Sequence, residues 1–441
     1  APGERVSVAF SGQTRGTVAD ASGRWVVMLD PLAAKPAGAD LLVSGTNQVV
    51  VRDVVVGEVW LCSGQSNMEW PVSRADRAAD EIAAAKYPLV RHVKVARAVA
   101  SNPAEKAVIG GWEAATPQTV GAFTAVGYFF AREIHARLNG VPIGLIHSSW
   151  GGTPIESWLS PAALASDPRF AVAGERWREA VAAFPAANAA YEAASAEWKR
   201  GEAGARAQGA AALQAWIKKH PVPRAPRGPG DPWTPSGLFN GMINPLAPYA
   251  LRGFLWYQGE NNTDRPLEYA PLFTTLITTW RAHFGQADAP FFWVNLANFR
   301  SPVDATGIGY ALVREAQTRA LALPHTGQAI AIDIGNPTDI HPTNKQEVGR
   351  RLALLAQNRV YGLTKDDSGP VFQAAVRQGA ALRVTFTHVA GGLVAHGKPV
   401  QSLEVAGADR VYKPALARIE RDALLVSSPE VREPVAVRYA W

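Results

Sequence analysis

From residue 58 to about residue 362 the chain alternates short apolar runs with stretches of helical length and spacing, and no other feature restricts its folding as much. A first buried strand is expected at 58–62. Further strands are expected at 90–95, 143–147, 253–257, 291–296 and 329–334. Between them the spacing predicts helices over 126–138, 267–284, 313–323 and 345–358. Strands apolar on both sides need cover on both faces. The alternation therefore predicts a three-layer α/β unit around a largely parallel sheet.

The flanks read differently. Residues 1–56 carry short alternating or β-branched runs (Val6 to Phe10, part of Trp25 to Leu29, Val49 to Val51, Val54 to Val56) separated by Gly, Pro and Asp. This predicts an antiparallel β region leading into the first buried strand. After Gly369-Pro370 strand patterns return at 382–386, 411–412, 423–426 and 435–439. One insertion, 160–220, is rich in Ala, Glu, Arg and Trp at helical spacing. It is followed by a stiff Pro/Gly segment from Pro221 to Pro232. The expected division is a β region over 1–56, two α/β parts over 57–159 and 236–365, a helical hairpin and linker over 160–235, and a C-terminal β region over 366–441.

Composition excludes several classes. Hydrophobic residues make up 47% and the formal net charge is only +6, which is unlike a disordered chain. The pI near 9.4 comes without any Lys/Arg-rich run, so no nucleic-acid partner is expected. The single cysteine, Cys62, leaves no disulfide framework and no CxxC metal site. No apolar run reaches the ~18 residues of a membrane span, so no membrane partner is expected. The start, Ala1-Pro2-Gly3-Glu4, lacks the basic and apolar character of a leader peptide.

Four segments join polar residues to glycine or proline where a predicted strand ends or a helix begins, the edge at which open α/β sheets bind ligands. Gly64-Gln65-Ser66-Asn67-Met68-Glu69-Trp70 follows the first strand. A serine there can project its hydroxyl from a sharp turn beside free N–H groups, although the position suits an N-capping serine equally well. Met68 breaks a Gly-x-Ser-x-Gly elbow. His147-Ser148-Ser149-Trp150-Gly151-Gly152-Thr153 pairs glycines whose backbone can approach a ligand. Trp256-Tyr257-Gln258-Gly259-Glu260-Asn261-Asn262 offers neutral amide donors. In Asp339-Ile340-His341-Pro342 an acid stands two residues before a histidine just ahead of a helix start. Asp333, at the end of a predicted strand, competes with Asp339 as the acid partner.

In this order the four segments resemble the conserved blocks of the SGNH hydrolases, specifically the sialate O-acetylesterase branch of the carbohydrate esterases. Pro235-Ser236-Gly237-Leu238-Phe239-Asn240-Gly241-Met242 is also similar to that branch. The resemblance implies a three-layer (flavodoxin-like) SGNH domain with β-sandwich material from both chain ends. It implies hydrolysis of acetyl esters on a sugar, with Ser66 as nucleophile, His341 as base and Asp339 as its orienting acid. It implies an oxyanion site made by Ser66, Gly151 and Gln258, with Asn261 as the alternative to Gln258. Gln65, Trp70, Trp150, Glu260 and Arg300 would meet the substrate, and neither a metal nor an organic cofactor is required. The chain departs from the wider SGNH pattern in two places: the acid lies two rather than three residues before the histidine, and Gln258 precedes Gly259 where an asparagine usually follows the glycine.

The same resemblance implies a longer gene product with a secretion signal and a periplasmic or secreted location. Several of the 14 tryptophans, among them Trp158 and Trp256, flank the blocks and could stack on sugar or pack the core. The acetylated sugar could be a sialic acid, whose carboxylate would want Arg300 or Arg265, or a plant glycan such as xylan or xyloglucan. A sugar acetyltransferase using the same serine and a non-catalytic glycan-binding protein are the alternatives.

Overall fold

The structure is a computed structural model that describes residues 1–302, 304 and 307–441. Its centre is a seven-stranded sheet built from β5 (Glu58–Gly64), β6 (Tyr87–Lys94), β7 (Glu113–Ala115), β8 (Ile143–Ser149), β9 (Gly253–Tyr257), β10 (Phe291–Val294) and β11 (Thr326–Ala329). Their order is β11-β10-β9-β5-β8-β6-β7. All neighbours are parallel except β7, which runs antiparallel to β6.

Both faces of the sheet are covered, and residue parity decides which side chain goes where. Trp60, Cys62, Leu255, Tyr257, Phe292 and Val294 point to one side, into a core shared with helices Ala125–Arg137 and Lys345–Arg359. Leu61, Phe254, Trp256, Phe291 and Trp293 point to the other, against helices Tyr269–His283 and Ile308–Arg319. A strand buried on both faces has no polar side to alternate with. That is why these segments read in the sequence as continuous apolar runs. Trp158 and Trp256 are fully buried and meet edge to face at 6.1 Å, so packing is their role and sugar stacking is not.

The predicted helices all form, with ends shifted by a few residues. Two predicted strands end early: 291–296 stops at Val294, and 329–334 gives way to a strand that begins three residues sooner. Instead of running over 329–334, β11 ends at Ala329, and Ile332–Ile334 is a 3-10 turn. Arg351, on the helix that follows, draws the chain away there by binding the Ile330 carbonyl and the Asp333 carboxylate.

At the N-terminus β1 (Arg5–Phe10), β2 (Gln13–Val18), β3 (Lys35–Ser44) and β4 (Gln48–Val56) form an antiparallel sheet in the order β2-β1-β3-β4. The alternating stretch at Trp25 to Leu29 is a loop, not a strand. Asp20 holds one end by accepting the N–H groups of Ser22 and Arg24, and Gln13 holds the other at Asp30. The two valine runs belong to one strand, β4, with Asp53 at φ 58° between them.

The insertion is a 37-residue helix, Ala171–Ala207, turning at Gly209 (φ 107°) into Ala210–Lys219. Trp216 packs edge to face on Trp198 at 5.1 Å, closing the hairpin. At the C-terminus two antiparallel sheets share a small apolar cluster that includes Leu382, Val405 and Val426. Among the described residues no helix is long and apolar enough to cross a membrane.

Candidate active site

The register of the central strands sets the site. Gly64 at the end of β5 lies opposite Ser149 of β8 and Tyr257 of β9, so three of the polar loops leave the sheet at one level. Gly64 adopts φ 133°, and a Cβ there would stand 2.2 Å from the Tyr257 carbonyl oxygen; only glycine fits. Helix Ser66–Glu69 follows directly, with Ser66 as its first residue. The Ser66 N–H has no acceptor among the described residues, as expected for a first-turn amide.

The fourth loop brings His341 over this helix. Its Nε2 lies 2.8 Å from the Ser66 Oγ, so the structure joins the two residues expected to act together. Trp70 stacks on the imidazole at 5.0 Å and 20°, and the Arg74 guanidinium lies over the indole at 3.9 Å. Burial holds the His341 pKa below its ordinary value, nearby Lys345 adds to this, and Asp339 opposes it.

The acid partner is loosely engaged. Asp339 Oδ1 accepts the His341 backbone N–H at 2.9 Å and stands 3.7 Å from Nδ1, too far for a hydrogen bond. Its side chain is 54% exposed. Asp333 is no alternative, because Arg351 grips both its oxygens at 2.6 and 2.7 Å and lowers its pKa.

Several expected ligand contacts are corrected. Gln258 is fully buried; its Nε2 donates to Asn262 Oδ1 (2.7 Å) and the Thr153 carbonyl (3.3 Å), and its Oε1 accepts from Tyr269 (2.9 Å). With both amide hydrogens turned inward it cannot hold an oxyanion. Asn261, the alternative, is half-buried, and its amide nitrogen lies 4.0 Å from where a Gly152 Cβ would stand. The Gly151 N–H is also committed: it donates to Glu69 Oε2 at 2.8 Å, while Glu69 Oε1 binds Arg97 at 2.6 Å. That bond holds the glycine loop so close that a Gly151 Cβ would meet the Ser66 Cβ at 3.1 Å.

Gln65 is buried and uses its Oε1 to accept the N–H groups of Gly259 (3.2 Å) and Asn261 (3.4 Å), so it braces the third loop and does not meet substrate. Glu260 is likewise turned inward, onto Asn67 at 2.5 Å. Arg265 is spent on the buried Glu156 at 2.9 Å, and Arg300 is exposed. Trp150 stays half-buried with the Arg97 guanidinium 5.2 Å above its ring.

Four contributors escaped the sequence reading: Asn67, Glu69, Trp233 and Lys345. Trp233, at the end of the insertion's linker, donates its Nε1–H to the Gly152 carbonyl at 2.6 Å and so brings the insertion to the site. Lys345 carried a usable signal, since a cation at the first position of a helix opposes the macrodipole and calls for a compensating partner.

The fold and site together define a doubly covered α/β protein with a serine–histidine pair at the carboxyl edge of its sheet. Residues 56–219 and 205–358 match the family described as "Carbohydrate esterase, sialic acid-specific acetylesterase", and the chain belongs to that family. A sialate O-acetylesterase of Rattus norvegicus is 33% identical over 375 residues, covering 77% of this chain and 64% of that protein. The Homo sapiens sialate O-acetylesterase is 31% identical over 77% of this chain and 61% of its own. The chain thus spans less than two thirds of the length of these curated relatives. The crystal structure of a carbohydrate acetylesterase from Xanthomonas citri superposes with a TM-score of 0.81 at 39% identity, over all of this chain and 88% of that one.

Proposed function

We propose that this protein is a carbohydrate O-acetylesterase on an SGNH-type fold. The observation that carries this is the 2.8 Å contact between His341 Nε2 and Ser66 Oγ at the carboxyl edge of the sheet. Ser66 Oγ attacks the acetyl carbonyl while His341 Nε2 takes its proton. The tetrahedral intermediate collapses, the C–O bond to the sugar breaks, and His341 returns the proton to the departing hydroxyl. Water, deprotonated by His341, then releases acetate. The Ser66 N–H and the Asn261 side-chain amide hold the oxyanion, and Gly151 contributes by fixing its loop against Ser66 through Glu69. Trp70, Trp150 and Trp233 border the site, and the names of the relatives support a sugar as the alcohol. The test is acetate release from acetylated sialic acids, xylan and xyloglucan oligosaccharides. Activity on aryl acetates with no acetate from any sugar would overturn the carbohydrate part. On the same reading the enzyme works in the periplasm or outside the cell, where acetylated glycan polymers are met, and cell fractionation checks this.

The acid limb of kcat/KM is expected below 6.5, the ordinary histidine value, because burial and Lys345 both favour the neutral imidazole that acts as base. A limb at or above that value contradicts the account.

The looseness of Asp339 gives a further expectation. An acid that fixes the tautomer of a catalytic histidine contributes up to ~10⁴ in turnover, and the family block alone implies a loss of at least ~10² for Asp339→Asn. With Nδ1 at 3.7 Å and an asparagine still able to accept the His341 N–H, the loss in kcat at pH 8 should stay within about tenfold. A loss near 10⁴ would show that the carboxylate closes onto Nδ1 when substrate binds.

A further inference from the structure

Asn67, next to the nucleophile, is buried and every polar atom of its side chain is engaged. Its Oδ1 accepts from Lys345 Nζ at 2.5 Å. Its Nδ2 donates to Glu260 Oε1 at 2.5 Å and to the Ile340 carbonyl at 3.0 Å. Ile340 directly precedes His341, so this one amide ties the histidine loop to the nucleophile's helix. An amide turned end for end fills the same space, but then its oxygen would face the Ile340 carbonyl and the tie would be lost. As an ammonium Lys345 can only donate and as a carboxylate Glu260 can only accept, and in those states they allow one orientation.

The arrangement is costly. Lys345 is fully buried and is the first residue of its helix, where burial and the macrodipole both disfavour a cation. Burial pushes its pKa down to about 7 against the opposing pull of Glu260 and Asp339. Glu260 is buried, its Oε2 has no partner among the described residues, and burial raises its pKa. Around Lys345 stand Glu260, Asp339, His341 and the rings of Trp70 (5.9 Å) and Tyr257 (5.2 Å); His341 in turn faces Asp339 and Arg74. A hydrophobic side chain would pack this spot without such a cost.

We propose that Lys345 and Glu260 act through Asn67 as positioning residues that hold His341 on Ser66, a duty that the distant carboxylate of Asp339 does not perform. This rests on Ser66 and His341 being the reacting pair.

The test uses p-nitrophenyl acetate and the full chain. Lys345→Met should lower kcat by roughly 10- to 100-fold, the scale of a 1 Å misplacement, with KM little changed. It should also move the acid limb of kcat/KM upward, because the charge that depresses the His341 pKa is gone. Glu260→Leu should lose kcat to a similar extent. Glu260→Gln keeps an acceptor for Asn67 and should retain at least about ten times more kcat than Glu260→Leu. Should Lys345→Met fail to fold, the two Glu260 variants decide the question alone. Folded Lys345→Met with wild-type kcat, or with reduced kcat and an unmoved acid limb, overturns the proposal, as does Glu260→Gln no better than Glu260→Leu. Ser66→Ala separates the two levels. If it stays active the reacting pair itself is wrong; if it is dead while the other variants behave as wild type, the pair stands and the positioning role falls.

Discussion

Ser66→Ala and His341→Ala should each lower kcat on acetyl esters by at least about 10³-fold, and the double variant should be no worse than either single one. Members of such a pair act on the same proton transfer, so their losses do not add. The expectation follows from the 2.8 Å contact between Nε2 and Oγ and from the shift of His341 toward its neutral form. Ser66→Ala removes one half-buried hydroxyl and should melt with the wild type. His341→Ala also removes the stack on Trp70, so a loss of about 0.5–1.5 kcal/mol in stability is expected. Residual activity of Ser66→Ala above about one part in a hundred, measured on contaminant-free enzyme, would remove Ser66 from the mechanism.

The second large effect separates two neighbouring amides. Asn261→Ala should cost about 10²–10³ in kcat, the usual consequence of losing one oxyanion donor, with an unchanged melting temperature. Gln258→Leu should do the reverse. It would strand the Thr153 carbonyl, take from Asn262 Oδ1 one of its two donors and leave the Tyr269 hydroxyl only the Gln258 main-chain carbonyl, at about 1–3 kcal/mol for a buried group left unpaired. Thermal melts and kcat on both variants read this directly. A stable Gln258→Leu with crippled turnover, beside a fully active Asn261→Ala, would reverse the assignment.

This pair of residues also shows where the sequence stops informing. That an amide donor leaves β9 beside Ser66 is legible, because a polar, glycine-containing segment follows a fully apolar strand. Which amide is spent in the interior depends on the turn at Gly259 (φ 151°), beyond which the chain carries on to Asn261. The same gap explains Gln65, Glu260 and Arg265, each a plausible ligand by residue type and each turned into a buried hydrogen bond or ion pair. Asp333 became a rival acid only because β11 looked longer in the sequence than its last residue, Ala329, allows. By contrast the sheet and its covering helices are legible almost throughout. Burial on both faces leaves continuous apolar runs between helix-length stretches, a pattern that neighbouring residues cannot disguise. Trp25 to Leu29 misled for the opposite reason: a short alternation carries little information when local side-chain bonds such as those of Asp20 decide the path.

The central claim is that Ser66 carries the acetyl group between sugar and water. Acid quenching within the first turnovers on an acetyl ester, followed by mass spectrometry of the proteolysed chain, tests it most directly. The account predicts a peptide containing Ser66 that is heavier by one acetyl group, appearing with the first equivalent of released alcohol and absent from Ser66→Ala. Steady acetate release with no acetylated peptide at any quench time, or an acetyl group on another residue that turns over at the catalytic rate, would contradict it.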